Sequence, residues 1–71
     1  MYASTRELLK SIQLSEKLIN FAVDENNDSM IRTHNKLLQS KIDILNAITN
    51  DIELTENQQV EFTTICDFYR L

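Results

Sequence analysis

Neither glycine nor proline occurs anywhere in the 71 residues, tryptophan is absent, and Cys66 is the single cysteine. Each absence excludes something. A chain without glycine cannot build the glycine-rich loops that cradle phosphates. One cysteine rules out an internal disulfide. One histidine beside it, His34, leaves too few ligands for a Cys/His zinc site. No run approaches the ~18 apolar residues of a membrane span. The opening MYASTRELLK lacks the apolar core of a signal peptide. The expected setting is the cytoplasm, where a free thiol stays reduced.

So short a chain makes one domain, residues 1–71, and a small one buries a modest fraction of its surface. Disulfides and metals are the usual reinforcements, and neither is available. A second chain is the reinforcement that remains. The net charge of -4 is unevenly spread. Residues 1–50 balance, with Arg6, Lys10, Lys17, Arg32, Lys36 and Lys41 against as many acids. Residues 51–71 set Asp51, Glu53, Glu56, Glu61 and Asp67 against Arg70 alone. Direct nucleic-acid binding needs clustered Lys and Arg, so none is expected. Glu53, Glu56, Glu61 and Asp67 are expected to stay wet, as a solubilising surface or an acidic patch facing a basic partner.

Without glycine or proline the chain must turn by other means. In VDENNDSMI, asparagine is the residue that best replaces glycine in the left-handed conformation ending a helix. Asn26 or Asn27 therefore ends one helix, and Asp28 or Ser29 caps the next. The same device recurs at Asn50-Asp51. These punctuation marks divide the chain into helices at about 5–24, 29–49 and 56–69. Ser4 with Glu7 fits a capping box at the first start, and Thr55 with Gln58 fits another at the third.

The first segment gathers Arg6, Lys10, Gln13, Lys17, Asn20 and Asp24 into one narrow polar stripe. Most of the remaining circumference is apolar, wider than one neighbour covers. The second segment repeats every seventh residue: Ile31, Leu38, Leu45 and Ile52, with Met30, Leu37 and Ile44 one place earlier. His34, Lys41 and Ile48 fill the alternate seam positions. That is the pattern of helices packed side by side. Two helices of about twenty residues and a short connection predict an antiparallel pair. The third segment is ambiguous, because VEFTTICDFY also alternates as a strand would. A strand there would lack a partner within the chain, and the capping box decides for a helix. It places Phe62, Ile65, Cys66 and Tyr69 on one face.

The expected architecture is all-α: an antiparallel hairpin, a shorter third helix, and a small bundle completed by association as a homodimer or on a partner protein. Leu8, Ile12, Leu14, Leu18, Ile19, Phe21, Ile31, Leu38 and Leu45 are the candidate interface. No cofactor, metal or small-molecule substrate is implied. His34 has no nucleophile or orienting acid on its own face, since Asn35 and Ser40 point elsewhere. A pairing of His34 with Cys66 could arise only through the fold. His34 and Lys41 read as seam-edge residues, with the lysine ammonium snorkelling outward. Cys66 reads as a buried thiol. The cluster Asp24, Glu25 and Asp28 lacks the glycine and spacing of a calcium loop.

The stretch Asn50-Asp51-Ile52-Glu53-Leu54-Thr55-Glu56-Asn57-Gln58, followed by Phe62 and Asp67, resembles the middle of Hha-type nucleoid modulators. That resemblance implies a transcription modulator acting through a DNA-binding partner protein. The two long helices around an acidic turn resemble small export chaperones of flagellar and type III secretion systems. Together these readings predict a non-enzymatic interaction module: a regulator, inhibitor or chaperone-like adaptor.

Overall fold

The computed structural model describes residues 5–70. Helix α1 spans Thr5–Asp24, α2 spans Asp28–Thr49 and α3 spans Glu56–Tyr69. The all-α hairpin with a shorter third helix is the observed architecture. α1 and α2 share the largest interface, and α3 packs more on α1 than on α2. The wide apolar face of α1 is thus divided between two neighbours. The expected Ser4–Glu7 capping box lies outside the described residues.

Both reversals use a non-glycine residue in the left-handed region. Asn26 has φ 54° and Asp51 has φ 56°. At the first, the Asn27 N–H donates to the Ala22 carbonyl and the Asn26 N–H to that of Val23. At the second, Ile52 donates to Ala47 and Asp51 to Ile48. These paired bonds are the Schellman ending of a helix, which satisfies carbonyls the helix leaves open. The second helix opens one residue earlier than expected. Its N-cap is Asn27, not Asp28 or Ser29, and the Asn27 side chain accepts from the Met30 N–H at 3.1 Å. Asn27 closes α1 with its backbone and opens α2 with its side chain, so the turn needs no further residue.

α3 begins with the expected capping box. Thr55 Oγ1 accepts from the Gln58 N–H, and Gln58 Oε1 accepts from the Thr55 N–H. Residues 56–69 are therefore helical despite their strand-like alternation. Phe62, Ile65 and Cys66 are buried and Tyr69 is half-buried on the inner face. Local capping together with one continuous buried face outweighs β-propensity, which reflects packing on a sheet that this chain does not form.

The core lies where α3 meets the hairpin. It joins Leu8 of α1, Ile44 and Ala47 of α2, and Phe62, Ile65 and Cys66 of α3. Leu54 is driven inward from the connection, and Ile12, Leu45, Ile48 and Tyr69 pack around its edge. Burying a side chain such as Phe62 or Ile44 contributes roughly 1.5–3 kcal/mol each. The half of the hairpin nearer the 25–27 turn contributes little to this core. Ala22 is fully buried there, while Leu18, Ile19, Met30, Ile31, His34 and Leu38 are half-buried.

Candidate interaction surface

A polar layer crosses the bundle. Ser11 and Ser15 of α1 are buried, although both carry hydroxyls. Lys41 of α2 turns toward them: its Nζ donates to Ser15 Oγ at 2.7 Å and reaches the Ser11 carbonyl at 3.5 Å. The preceding residue, Ser40, donates its hydroxyl to the Glu61 carboxylate of α3, at 2.7 and 3.1 Å to the two oxygens. Two sequence expectations are corrected here. Lys41 does not snorkel outward, because a serine oxygen one helix away supplies the partner. Glu61 is not simply wet, because it is half-buried and engaged by Ser40. Burial holds the Lys41 pKa below lysine's usual 10.5, and the Glu61 carboxylate opposes that shift.

A serine hydroxyl against a lysine amine is also the geometry of Ser–Lys nucleophilic catalysis. Ser15 is 3 % exposed, which leaves a substrate carbonyl no approach to its oxygen. The contact ties α1 to α2. Among the described residues no group of three His, Cys, Asp or Glu side chains could hold a metal ion. No helix among them is long and apolar enough to cross a membrane.

The candidate interface residues fall into three groups. Leu8 is fully buried within the chain, so it has no surface to offer a partner. Ile12 and Leu45 pack on the core edge, and Leu18, Ile19, Ile31 and Leu38 are half-buried along the hairpin. Leu14 and Phe21 are exposed, 42 % and 55 % respectively. Leu14, Leu18 and Phe21 follow a spacing of four and three, which keeps them on one flank of α1. Of the acidic patch, Glu53, Glu56 and Asp67 are exposed, and Asp67 lies 3.9 Å from Arg70 in an exposed pair. Val60 and Phe68 are also exposed on α3, at 63 % and 71 %.

Sequence reasoning missed the polar layer. Its signal was available: on a helical wheel Ser11 and Ser15 fall between Leu8 and Leu18, inside the apolar arc of α1. A small polar residue inside such an arc marks a close approach or a buried hydrogen bond.

Comparison of the chain with protein-family models, with curated proteins and with solved structures gives no match. The likenesses to Hha-type modulators and to export chaperones thus gain nothing from comparison. The surface itself must carry the functional reading.

Proposed function

We propose that the chain is a small non-enzymatic module that binds a partner protein through the outer flank of α1, acting as a regulator, inhibitor or chaperone-like adaptor. One observation carries this reading. After α2 and α3 have packed, Leu14 and Phe21 remain exposed beside half-buried Leu18. Covering the rest of both side chains would contribute about 1–2 kcal/mol each. That is a large share of the stability of a domain this size. A modulator acting through a DNA-binding protein would use the acidic patch instead. Glu61 is engaged by Ser40 and is therefore a weaker element of that patch, which favours the α1 flank.

The test is affinity capture from the native host with the wild-type chain and with Leu14→Glu/Phe21→Glu. Both positions are exposed, so the variant should keep its helicity by circular dichroism. A protein held by the wild type and lost by the variant supports the reading. Identical capture by both contradicts it.

A further inference from the structure

Two exposed stripes on this molecule share one spacing and carry opposite charge. On α1, Lys10, Leu14, Lys17 and Phe21 follow at steps of four, three and four, and all four are exposed. On α3, Glu56, Val60, Thr63 and Asp67 follow at the same steps, and all four are exposed. Steps of four, three and four keep a residue set on one side of a helix. Each stripe is about 16 Å long, from eleven residues of rise. The first is basic with two large apolar side chains. The second is acidic at both ends with an apolar middle.

The α3 stripe is also concave. A recess of about 280 Å³ lies along Glu56, Gln59, Val60, Thr63 and Thr64. It is shallow and open to solvent, and its lining is mostly apolar, with the Val60 side chain and threonine methyl groups available. A leucine side chain laid across it would cover that apolar surface. Inside one chain the two stripes cannot meet, because α1 and α3 pack through their buried faces. Lys10 and Lys17 form no ion pair among the described residues, and neither does Glu56. Asp67 has only the long, exposed contact with Arg70, which contributes little.

We infer that the occupant of the α1 stripe is a second copy of this chain, which lays its α3 stripe, Glu56-Val60-Thr63-Asp67, against Lys10-Leu14-Lys17-Phe21. This rests on the reading of α1 as a docking flank and names its partner. Aligned in the same direction, Leu14 lies against Val60 and Lys10 against Glu56, while Lys17, opposite Thr63, reaches one turn further to Asp67. Complementary charge sets orientation and suppresses wrong partners, while the apolar side chains hold the contact. Used reciprocally, the contact closes a dimer.

The experiment is sedimentation equilibrium of the full chain with two charge-reversed variants. Lys10→Glu/Lys17→Glu makes both stripes acidic, and Glu56→Lys/Asp67→Lys makes both basic. The wild type should associate, with a dissociation constant that rises about tenfold or more between about 50 and about 500 mM salt. Each variant alone should be monomeric. An equimolar mixture of the two should associate again, because each supplies the stripe the other lacks. Circular dichroism of each variant alone confirms that the helices survive. A wild type that is monomeric throughout overturns the inference, and so does a mixture that stays monomeric. If the wild type is monomeric yet captures a host protein through Leu14 and Phe21, self-association falls and the docking flank stands. If capture also fails, both fall.

Discussion

Ser40 and Lys41 are adjacent in the chain but tie α2 to two different helices. The Ser40 hydroxyl donates to Glu61 of α3, and the Lys41 ammonium donates to Ser15 of α1. Successive residues of a helix point about 100° apart, so a helix between two neighbours can address both with one dipeptide. The bonds are directional where the surrounding apolar packing is not. A sliding of α3 along the hairpin would break the Ser40–Glu61 bond, and a slip of α1 would strand the lysine. Polar residues at packed positions can fix register in this way, at some cost in stability.

Glu61 gives the first prediction. From the sequence it belongs to a wet patch, and Glu61→Lys should leave stability unchanged. In the structure that change removes the acceptor of Ser40 and sets a second ammonium near Lys41. It should cost about 1–2 kcal/mol, while Glu61→Gln, which keeps an acceptor, should cost less. Urea unfolding of the three proteins measures this. Equal midpoints would show that the Ser40 bond contributes nothing.

The second prediction concerns alkaline pH. Burial lowers the pKa of Lys41 in the folded chain from the usual 10.5. Between that lowered value and 10.5 the unfolded chain binds more protons than the folded one, so stability rises with pH across that window. Below the window the cost of the buried charge is present in full. The wild type should therefore gain stability relative to Lys41→Met as pH is raised from neutral toward 10.5. The difference between the two proteins cancels other groups that ionise in this range. A difference that is flat with pH would mean Lys41 is as well solvated folded as unfolded.

The third prediction tests the turns. Left-handed backbone costs roughly 1–2 kcal/mol for an ordinary residue and least for glycine, with asparagine and aspartate between. Asn26→Ala should therefore destabilise the hairpin by about 1 kcal/mol. Asp51→Gly should stabilise by about 0.5–1 kcal/mol, because Asp51 holds the same conformation with a less suitable residue. Thermal unfolding of both variants reads the two signs. A stabilising Asn26→Ala or a destabilising Asp51→Gly would contradict the Schellman assignment.

How far the sequence showed the fold follows from these same residues. The helix boundaries were legible because capping is local: Asn26 and the Thr55–Gln58 box announce an end and a start whatever the tertiary context. The start of α2 was misplaced by one residue, because Asn27 serves both helices and a linear reading assigns one task per residue. The inner face of α3 was legible from the spacing of Phe62, Ile65, Cys66 and Tyr69. The polar layer was legible only in part: Ser11 and Ser15 stand out inside the apolar arc of α1, but Lys41 meets Ser15 and Ser40 meets Glu61 only through the packing of three helices. Nor could periodicity divide the apolar face of α1 into a covered part at Leu8 and an open part at Leu14 and Phe21. That division depends on where a 14-residue α3 comes to rest.

The fourth prediction separates packing from surface within α3. Phe62 is 4 % exposed and belongs to the core, so Phe62→Ala should cost about 3–5 kcal/mol. Phe68, six residues on, faces outward, and Phe68→Ala should stay within about 0.5 kcal/mol of wild type. Denaturant titration distinguishes them. Equal effects would mean that α3 is rotated from the orientation described.

If a second copy fills the open flank of α1, the residues of both stripes must respond to protein concentration. Amide correlation spectra of ¹⁵N-labelled protein, recorded from about 20 μM to about 1 mM, test this residue by residue. Concentration-dependent shifts are expected at Lys10, Leu14, Lys17 and Phe21 and at Glu56, Val60, Thr63 and Asp67. The amides of buried Leu8, Ala22 and Ile44 should stay in place. Spectra that superimpose over the whole range, or shifts confined to other surfaces, would contradict it.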